Sequence, residues 1–227
     1  MRTVVYTGTR NVYGDMSAAC KSLLKHNGAD RVFFLIEDDS FPEQLPEMVR
    51  CLNVSGQAFF RHDGPNYSCR WTYMTMMKIA VPLISEIAET TDRVLVMDVD
   101  TIVTGDLDGL WELPPATVYM TREVGRPYAY YNAGVMLMDV DAMAGEAPKV
   151  IRAINVRKMD FPDQDAMNNV MRGKISELPP EFNTSNWTVK PTGEPRIVHY
   201  AAVRNWHDRP EWKRYAGMSW ADAIAPL

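Results

Sequence analysis

The first 36 residues alternate two apolar runs with a segment of helical pattern. Residues 2–7 (RTVVYT) and 31–36 (RVFFLI) have the composition of buried strands. Between them, Asp15 is placed to cap a helix that ends near Gly28. The apolar residues of this helix recur on one face: Met16, Ala19, Cys20, Leu23 and Leu24. A strand, a helix and a second strand in succession predict a parallel sheet with helices packed on it.

The same α/β pattern continues along the chain. Further strands are predicted over 93–97, 134–138, 175–178 and 196–200, and helices over 141–156 and 163–171. The segment 71–87 is apolar and compatible with a helix, which Pro82 is expected to kink or divide. The proline-rich stretches 178–180 and 190–195 have the character of loops rather than domain linkers. A single domain is therefore expected.

Composition excludes some classes of function. A net charge of −5 argues against a nucleic-acid binder, because such proteins concentrate positive charge to meet phosphates. The three cysteines, Cys20, Cys51 and Cys69, form no even set and no CxxC pair, so free thiols in a reducing compartment are expected. The sequence has no signal-peptide pattern and no apolar run of about 20 residues. These features predict a cytoplasmic protein without a transmembrane segment, with peripheral membrane contact left open.

Two aspartates follow the predicted central strand 93–97. Residues i and i+2 of an extended chain point to the same side, so Asp98 and Asp100 present two carboxylates together. In an open α/β sheet, ligands bind outside the carboxyl ends of the strands. Two neighbouring carboxylates repel each other, and a cation would neutralise them. Oxygen ligands suit Mg²⁺ or Mn²⁺, and an added imidazole would favour Mn²⁺.

The aspartate pair has two other interpretations. The carboxylates could simply be solvated at the end of a strand. A phosphatase of the haloacid dehalogenase type also begins with Asp-x-Asp after a strand. That family has Thr or Val where this chain has Ile102, and its motif lies near the N-terminus, whereas this one is in the middle of the chain. We therefore set the phosphatase aside.

Four further segments accompany the aspartates, in this order: 131–139 (YNAGVMLMD), 161–168 (FPDQDAMN), 178–183 (LPPEFN) and 197–200 (IVHY). Together with 94–107 (VLVMDVDTIVTGDL), they resemble family 8 of the glycosyltransferases, which includes glycogenin and the bacterial lipopolysaccharide galactosyltransferases and glucosyltransferases. The resemblance extends from the first strand to about Trp206. It implies a GT-A fold, a Rossmann-like α/β domain with a mostly parallel central sheet and helices on both faces. In that fold the nucleotide would occupy about 1–105 and the sugar and acceptor about 106–206, with a tail over 207–227.

The resemblance also implies an activity and its residues. The family transfers a hexose from a UDP-sugar with retention of configuration, using Mn²⁺, for which Mg²⁺ is the alternative. The positions that match its metal ligands are Asp98, Asp100 and His199. Those that match contacts to the transferred sugar are Asn132, Asp163 and Gln164. Those that match contacts to the nucleotide and its diphosphate are Thr7, Asn11, Tyr13, Lys78, Asp98, Val99, Asp100 and Arg204. The acceptor is unidentified and would be a saccharide, a lipid-linked glycan or a protein.

The chain departs from the family after His199. The family continues HYxGxxKPW, whereas residues 199–206 read HYAAVRNW, with Ala202 in place of the glycine. Arg204 remains able to bind a phosphate. Two alternatives therefore stay open: a sugar-nucleotide-binding protein with little transferase activity, and a sugar nucleotidyltransferase. Residues 8–10 (GTR) resemble the phosphate loop of the latter, without its preceding glycine pair and following leucine.

Several of these residues also have ordinary structural interpretations. His199 could be a hydrogen-bonded structural histidine, Asp163 a helix N-cap and Lys78 a surface lysine. Asn132 with Gly134 could form a turn before a strand. Packing of a C-terminal tail explains the tryptophans more simply than contact with an acceptor or a membrane surface does. These tryptophans are Trp206, Trp212 and Trp220.

Overall fold

The computed structural model describes residues 1–68, 72–126 and 128–226. Its strands are β1 Thr3–Thr7, β2 Arg31–Ile36, β3 Val49–Asn53, β4 Arg93–Met97, β5 Thr101–Val103, β6 Val118–Arg122, β7 Tyr131–Asp139, β8 Ile175–Glu177 and β9 Ile197–His199. Its α-helices are α1 Tyr13–Lys25, α2 Tyr73–Met77, α3 Ser85–Ala88, α4 Asp108–Trp111, α5 Val140–Val156, α6 Pro162–Val170, α7 Pro210–Ala216 and α8 Trp220–Ile224. Short 3₁₀ helices span Arg10–Val12, Val81–Leu83, Pro180–Phe182 and Trp206–Asp208.

The central sheet is mostly parallel, as predicted. Its strand order is β3-β2-β1-β4-β7-β6-β8. Strand β4 pairs in parallel with β1, and β7 is antiparallel to both of its neighbours, β4 and β6. Among the described strands of this sheet, only β7 runs against the others. A second, two-stranded antiparallel sheet pairs β5 with β9 and sets Thr101 opposite His199.

Helices cover both faces of the central sheet, as predicted. Val94 and Val96 of β4 face one apolar layer that includes residues of α2, α3, α5 and α6. Leu95 and Met97 face the opposite layer, formed mainly by α1 with α4 and α8. Alternate residues of β4 are therefore buried on opposite sides, which explains the continuous apolar run of this strand. Burying each such side chain stabilises the fold by about 1.5–3 kcal/mol.

Several predicted elements are confirmed and others are corrected. The strands over 31–36 and 93–97 have the predicted bounds, and the segment 71–87 is divided near Pro82 into α2, a 3₁₀ turn and α3. Asp15 does not cap α1, because the helix already begins at Tyr13. Asn132 does not lie in a turn, because β7 begins at Tyr131 and is longer than predicted. Pairing with β6 through an irregular register extends β7 to this point.

The C-terminal segment packs against the domain. Helices α7 and α8 contact α1, and Trp212 is buried beside Tyr200 and Tyr215. Trp220 donates a 2.8 Å hydrogen bond from its indole nitrogen to Glu43. The packing interpretation therefore holds for these two tryptophans. Over the described residues, no helix combines the length and the apolar character that crossing a membrane requires.

The cysteine prediction can be checked at two of its three positions. Cys20 is buried and Cys51 is half-buried, and both are free thiols. Burial raises the pKa of the Cys51 thiol to about 11. Cys69, like Trp71 at the start of the predicted helix over 71–87, lies outside the described residues.

Candidate active site at the carboxyl ends of the central strands

The two aspartates lie in a turn that main-chain hydrogen bonds hold in place. The N–H of Asp98 donates to the carbonyl of Gly134 at 2.8 Å, and the N–H of Tyr200 donates to the carbonyl of Asp100 at 2.9 Å. The hydroxyl of Thr101 donates to the carbonyl of Asp98 at 2.7 Å. The turn is thus tied to β7 on one side and to β9 on the other. Both carboxylates stay partly exposed, at 33% and 26%.

His199 completes a cluster with the aspartates. Its Nε2 lies 3.3 Å from Asp100 Oδ1 and 3.9 Å from Asp98 Oδ2, and its side chain is 3% exposed. One ligand atom from each of the three residues lies within 4.8 Å of the others. Neighbouring ligands of an octahedral ion with bonds of about 2.1 Å are about 3 Å apart, so small shifts would let these groups share an ion. Two carboxylates and one imidazole suit Mn²⁺ or Mg²⁺.

The three groups alter one another's protonation. Burial alone would lower the pKa of His199, but Asp100 and Asp98 outweigh it and raise this pKa above its ordinary value. Burial would raise the pKa of Asp100, but His199 and then Lys78 hold it below its ordinary value. Burial, with help from Asp100, raises the pKa of Asp98 despite the nearby lysine. The cluster therefore attracts positive charge, which a proton on His199 or a metal ion can supply.

Lys78 is a buried cation rather than a surface lysine. Its side chain is 3% exposed, and its Nζ lies 2.7 Å from Asp98 Oδ1 and 2.7 Å from Asp163 Oδ2. The same Nζ donates a hydrogen bond of 3.2 Å to the carbonyl of Ala133. Burial would lower the pKa of Lys78, but Asp163 and Asp98 raise it well above its ordinary value. The lysine thus stays charged and joins the aspartate turn to α6.

Two of the predicted sugar-contacting residues lie at the start of α6. The helix begins at Pro162 after Phe161, so Asp163 is its second residue and not its N-cap. The carboxylate of Asp163 is directed to Lys78 instead. The Oε1 of Gln164 accepts from the N–H of Ala133 at 3.0 Å. Both side chains are buried, and that of Gln164 contacts β7 through Ala133.

Sequence reasoning missed two residues of the site. The carboxylate of Glu123 accepts from Asn132 Nδ2 and from Gln164 Nε2, at 3.1 Å each. The side chain of Asn183 donates to Asn132 and lies 2.9 Å from the Nδ1 of His199. Asn183 ends the segment 178–183, but the sequence alone indicates no role for it. Glu123 follows β6, a strand that was not predicted, so no sequence signal pointed to it.

Two cavities meet at the aspartate turn. One, of about 480 Å³, is lined by Lys78, Asn132, Asp163, Gln164 and His199, with the exposed Trp187 on its wall. The other, of about 330 Å³, is lined by Thr7, Asn11, Val99 and Trp206. Asp98 and Asp100 line both cavities. A more open cavity of about 710 Å³ is lined by His199 and Tyr200 but by neither aspartate.

The structure does not bring every predicted residue to these cavities. Thr7 donates from its hydroxyl to the carbonyl of Met74 at 2.8 Å, at the edge of the smaller cavity. Tyr13 is buried, and its hydroxyl donates to Asp38 at 2.9 Å. Arg204 is exposed on the loop after β9. In the same loop, Ala202 has a φ of 59°, which is the left-handed conformation that glycine adopts most easily.

Comparison with known proteins gives a family match and several relatives. The family described as "Glycosyl transferase family 8" matches residues 3–209. The glycosyltransferase GlyE of Streptococcus pneumoniae is 26% identical over 201 residues, which cover 80% of this chain and 47% of GlyE. The lipopolysaccharide 1,2-glucosyltransferase of Escherichia coli is 26% identical over 165 residues, which cover 58% of this chain and 48% of the enzyme. The chain thus spans about half the length of these curated relatives.

Solved structures of other proteins share the fold of this chain. The crystal structure of GlyE superposes with a TM-score of 0.75 at 22% identity and covers 98% of this chain and 62% of GlyE. The galactosyltransferase LgtC, solved with donor and acceptor sugar analogues, superposes with a TM-score of 0.69 at 17% identity, over 95% of each chain. This likeness confirms the predicted GT-A fold.

Proposed function

Because this chain belongs to glycosyltransferase family 8, we propose that it transfers a hexose from a UDP-sugar to an acceptor hydroxyl with retention of configuration. We propose Mn²⁺ as the cofactor, with Mg²⁺ as the alternative, and Asp98, Asp100 and His199 as its ligands. The acceptor is a saccharide, a lipid-linked glycan or a protein. The proposed division of the domain assigns the nucleotide to about 1–105, the sugar and acceptor to about 106–206, and a tail to 207–227.

One observation carries this proposal. Three side chains that could hold a metal ion, from two separate strand ends, converge at the point where two cavities meet. A nucleoside diphosphate sugar has its diphosphate between the nucleoside and the sugar. A cation at this junction would therefore lie beside the diphosphate, with one cavity for each end of the donor. Thr7, Asn11 and Val99 would contact the nucleoside in the smaller cavity.

The chemistry depends on charge that develops on the leaving UDP. A divalent ion supplies Lewis-acid stabilisation of that charge when bound. Asp163, Gln164 and Asn132 line the larger cavity, where we propose that they orient the sugar ring. Lys78 holds the carboxylates of Asp98 and Asp163 in fixed positions. We also propose Tyr13 as a nucleotide contact and Arg204 as a diphosphate contact.

A donor screen tests the proposal. Chelator-treated protein is given Mn²⁺ or Mg²⁺ with UDP-glucose, UDP-galactose, UDP-N-acetylglucosamine or GDP-mannose, with water and a panel of acceptors. UDP release that requires the metal and is lost in Asp100→Ala supports transfer. Asp208→Ala is the matched control, because Asp208 is exposed and its ion pair, with the exposed Lys213, lies outside both cavities.

The outcomes of the screen separate the alternatives. Donor binding without turnover against any acceptor would support a sugar-nucleotide-binding protein. In a parallel reaction with a nucleoside triphosphate and a sugar phosphate, release of pyrophosphate would support a nucleotidyltransferase. Full turnover by Asp100→Ala in chelator-treated buffer would contradict the metal site.

A further inference from the structure

We propose that Asn183 is a positioning residue that fixes the tautomer of His199, and that Asn132 and Glu123 fix Asn183 in turn. The four side chains form a continuous chain of hydrogen bonds, from Glu123 through Asn132 and Asn183 to His199. We call these four residues the relay. The consequence for metal binding rests on the proposed function, whereas the tautomer itself can be measured without it.

Two groups that bond to Asn132 each have a fixed hydrogen-bonding role, one as donor and one as acceptor. The main-chain N–H of Gly134 can only donate, and it lies 2.9 Å from Asn132 Oδ1. The carboxylate of Glu123 accepts, and it lies 3.1 Å from Asn132 Nδ2. A reversed amide would set its NH₂ against the N–H of Gly134 and its oxygen against the carboxylate of Glu123. Asn132 therefore has one favourable orientation.

The orientation of Asn183 follows from that of Asn132. The Nδ2 of Asn183 lies 3.0 Å from Asn132 Oδ1 and donates to it. If Asn183 were reversed, two amide oxygens would face each other at that distance. The Oδ1 of Asn183 must therefore face His199, where it lies 2.9 Å from Nδ1. An amide oxygen only accepts, so Nδ1 of His199 carries the proton.

This assignment determines what the other ring nitrogen can do. In the neutral imidazole with a protonated Nδ1, the electron pair is on Nε2. Nε2 is the nitrogen that lies 3.3 Å from Asp100 and 3.9 Å from Asp98. The relay therefore presents the histidine to the aspartates in the form that binds a metal. Partners of this kind, behind a ligating histidine, typically change metal affinity by about 10–100-fold.

Burial strengthens the hydrogen bonds of the relay. Asn183 is 0% exposed, and Asn132, His199 and Glu123 are at most 8% exposed. Water therefore does not compete for these hydrogen bonds, and an unpaired polar group here is costly. The backbone of Asn183 is held as well, because its carbonyl accepts from the Thr188 hydroxyl at 2.8 Å.

The tautomer can be measured directly in the metal-free wild-type protein. Long-range proton–nitrogen correlation spectra of ¹⁵N-labelled histidine distinguish a protonated ring nitrogen from an unprotonated one. At a pH high enough to keep His199 neutral, we expect its one ring proton on Nδ1, because Nδ1 lies 2.9 Å from its acceptor on Asn183, whereas Nε2 lies 3.3 Å from Asp100. The opposite pattern, or an even mixture of tautomers, would overturn the proposal. Because this test uses no variant, it does not depend on how a substitution affects folding.

A pair of substitutions tests the consequence. Asn183→Leu removes the acceptor, so we expect Mn²⁺ binding, measured by electron paramagnetic resonance, to weaken by about 10–100-fold. Asn66→Leu is the matched control. Asn66 is also buried, and it bonds to the backbone of Ile154, Arg157 and Met159 rather than to the relay. Equal affinities in the two variants would contradict the role of Asn183.

The two proposals fail in distinguishable ways. A wild-type protein with protonated Nδ1 that binds no Mn²⁺ would contradict the metal site and leave the relay supported. An active, metal-dependent enzyme with protonated Nε2 would contradict the relay and leave the function supported.

Discussion

The imidazole of His199 packs directly against Gly134. A Cβ added at Gly134 would lie 2.0 Å from Cε1 of the ring and 2.6 Å from its Nδ1. This glycine in β7 thus provides the space that the proposed metal ligand occupies.

The first prediction concerns this space. Gly134→Ala should displace His199 and weaken Mn²⁺ binding by at least about tenfold, because ligand geometry is lost. Titration of each protein with Mn²⁺ under paramagnetic resonance detection measures the effect. Gly145→Ala is the control: Gly145 lies within α5, and a Cβ there would meet nothing within 4 Å. That control should keep wild-type affinity and gain about 0.5–1 kcal/mol of stability. Wild-type affinity in Gly134→Ala would be inconsistent with the observed packing.

The second prediction concerns the buried cation. Lys78→Met leaves the buried Asp163 carboxylate without a partner, so the metal-free variant should lose about 3–5 kcal/mol of its free energy of unfolding. Urea unfolding measures this loss. The double variant Lys78→Met/Asp163→Asn removes both charges and should be more stable than the single variant. If Asp163→Asn brings no recovery, the two groups are not energetically coupled.

The third prediction concerns the loop after β9. Ala202 has a φ of 59°, so Ala202→Gly should stabilise the fold by about 1 kcal/mol through relief of backbone strain. Ala201 is not among the described residues with positive φ. Ala201→Gly should therefore destabilise the fold by about 0.4–1 kcal/mol, because glycine raises the entropy of the unfolded chain. Thermal unfolding of the two variants gives the comparison, and a loss of stability in Ala202→Gly would contradict the strain argument.

The fourth prediction concerns pH. Metal binding needs an unprotonated Nε2, and Asp100 raises the pKa of His199 above its ordinary value of 6.5. Mn²⁺ affinity should therefore be constant above that raised pKa and fall about tenfold per pH unit below it. In the metal-free protein, by contrast, protonation of His199 stabilises the fold. That contribution is complete below the unfolded-state pKa and is lost as pH rises through the folded-state pKa. Mn²⁺ titrations between about pH 5.5 and about pH 8.5 test the predicted pH dependence of Mn²⁺ affinity. An affinity that does not change with pH would exclude His199 as a ligand.

Sequence patterns predicted the centre of the fold well. The strands over 31–36 and 93–97 are buried on both faces, so their apolar runs are continuous and their limits are sharp. Strand β3 was missed because, of its five residues, Val49 alone is buried, so its apolar pattern is weak. Strand β5, which has three residues, was also missed. Helix boundaries at Asp15 and Asp163 were misplaced, because neither α1 nor α6 uses an acidic N-cap.

Part of the candidate site was also predictable from the sequence, and part was not. Asp98, Asp100 and His199 were predicted to act together, and the structure brings them together by pairing β5 with β9. Long-range contacts were harder to foresee. The distance from Lys78 to Asp163 depends on how α2 and α6 pack, and sequence spacing does not encode it. Glu123 reaches the site only through the irregular pairing of β6 with β7.

The most direct test is a crystal structure of the protein with Mn²⁺ and UDP, with anomalous scattering recorded at the manganese edge. We expect one manganese peak within about 2.3 Å of a carboxylate oxygen of Asp98, a carboxylate oxygen of Asp100 and the Nε2 of His199. In that structure Nδ1 of His199 should still be hydrogen-bonded to Asn183. A manganese ion bound elsewhere, or a UDP bound with these three side chains too far apart to share an ion, would contradict the account.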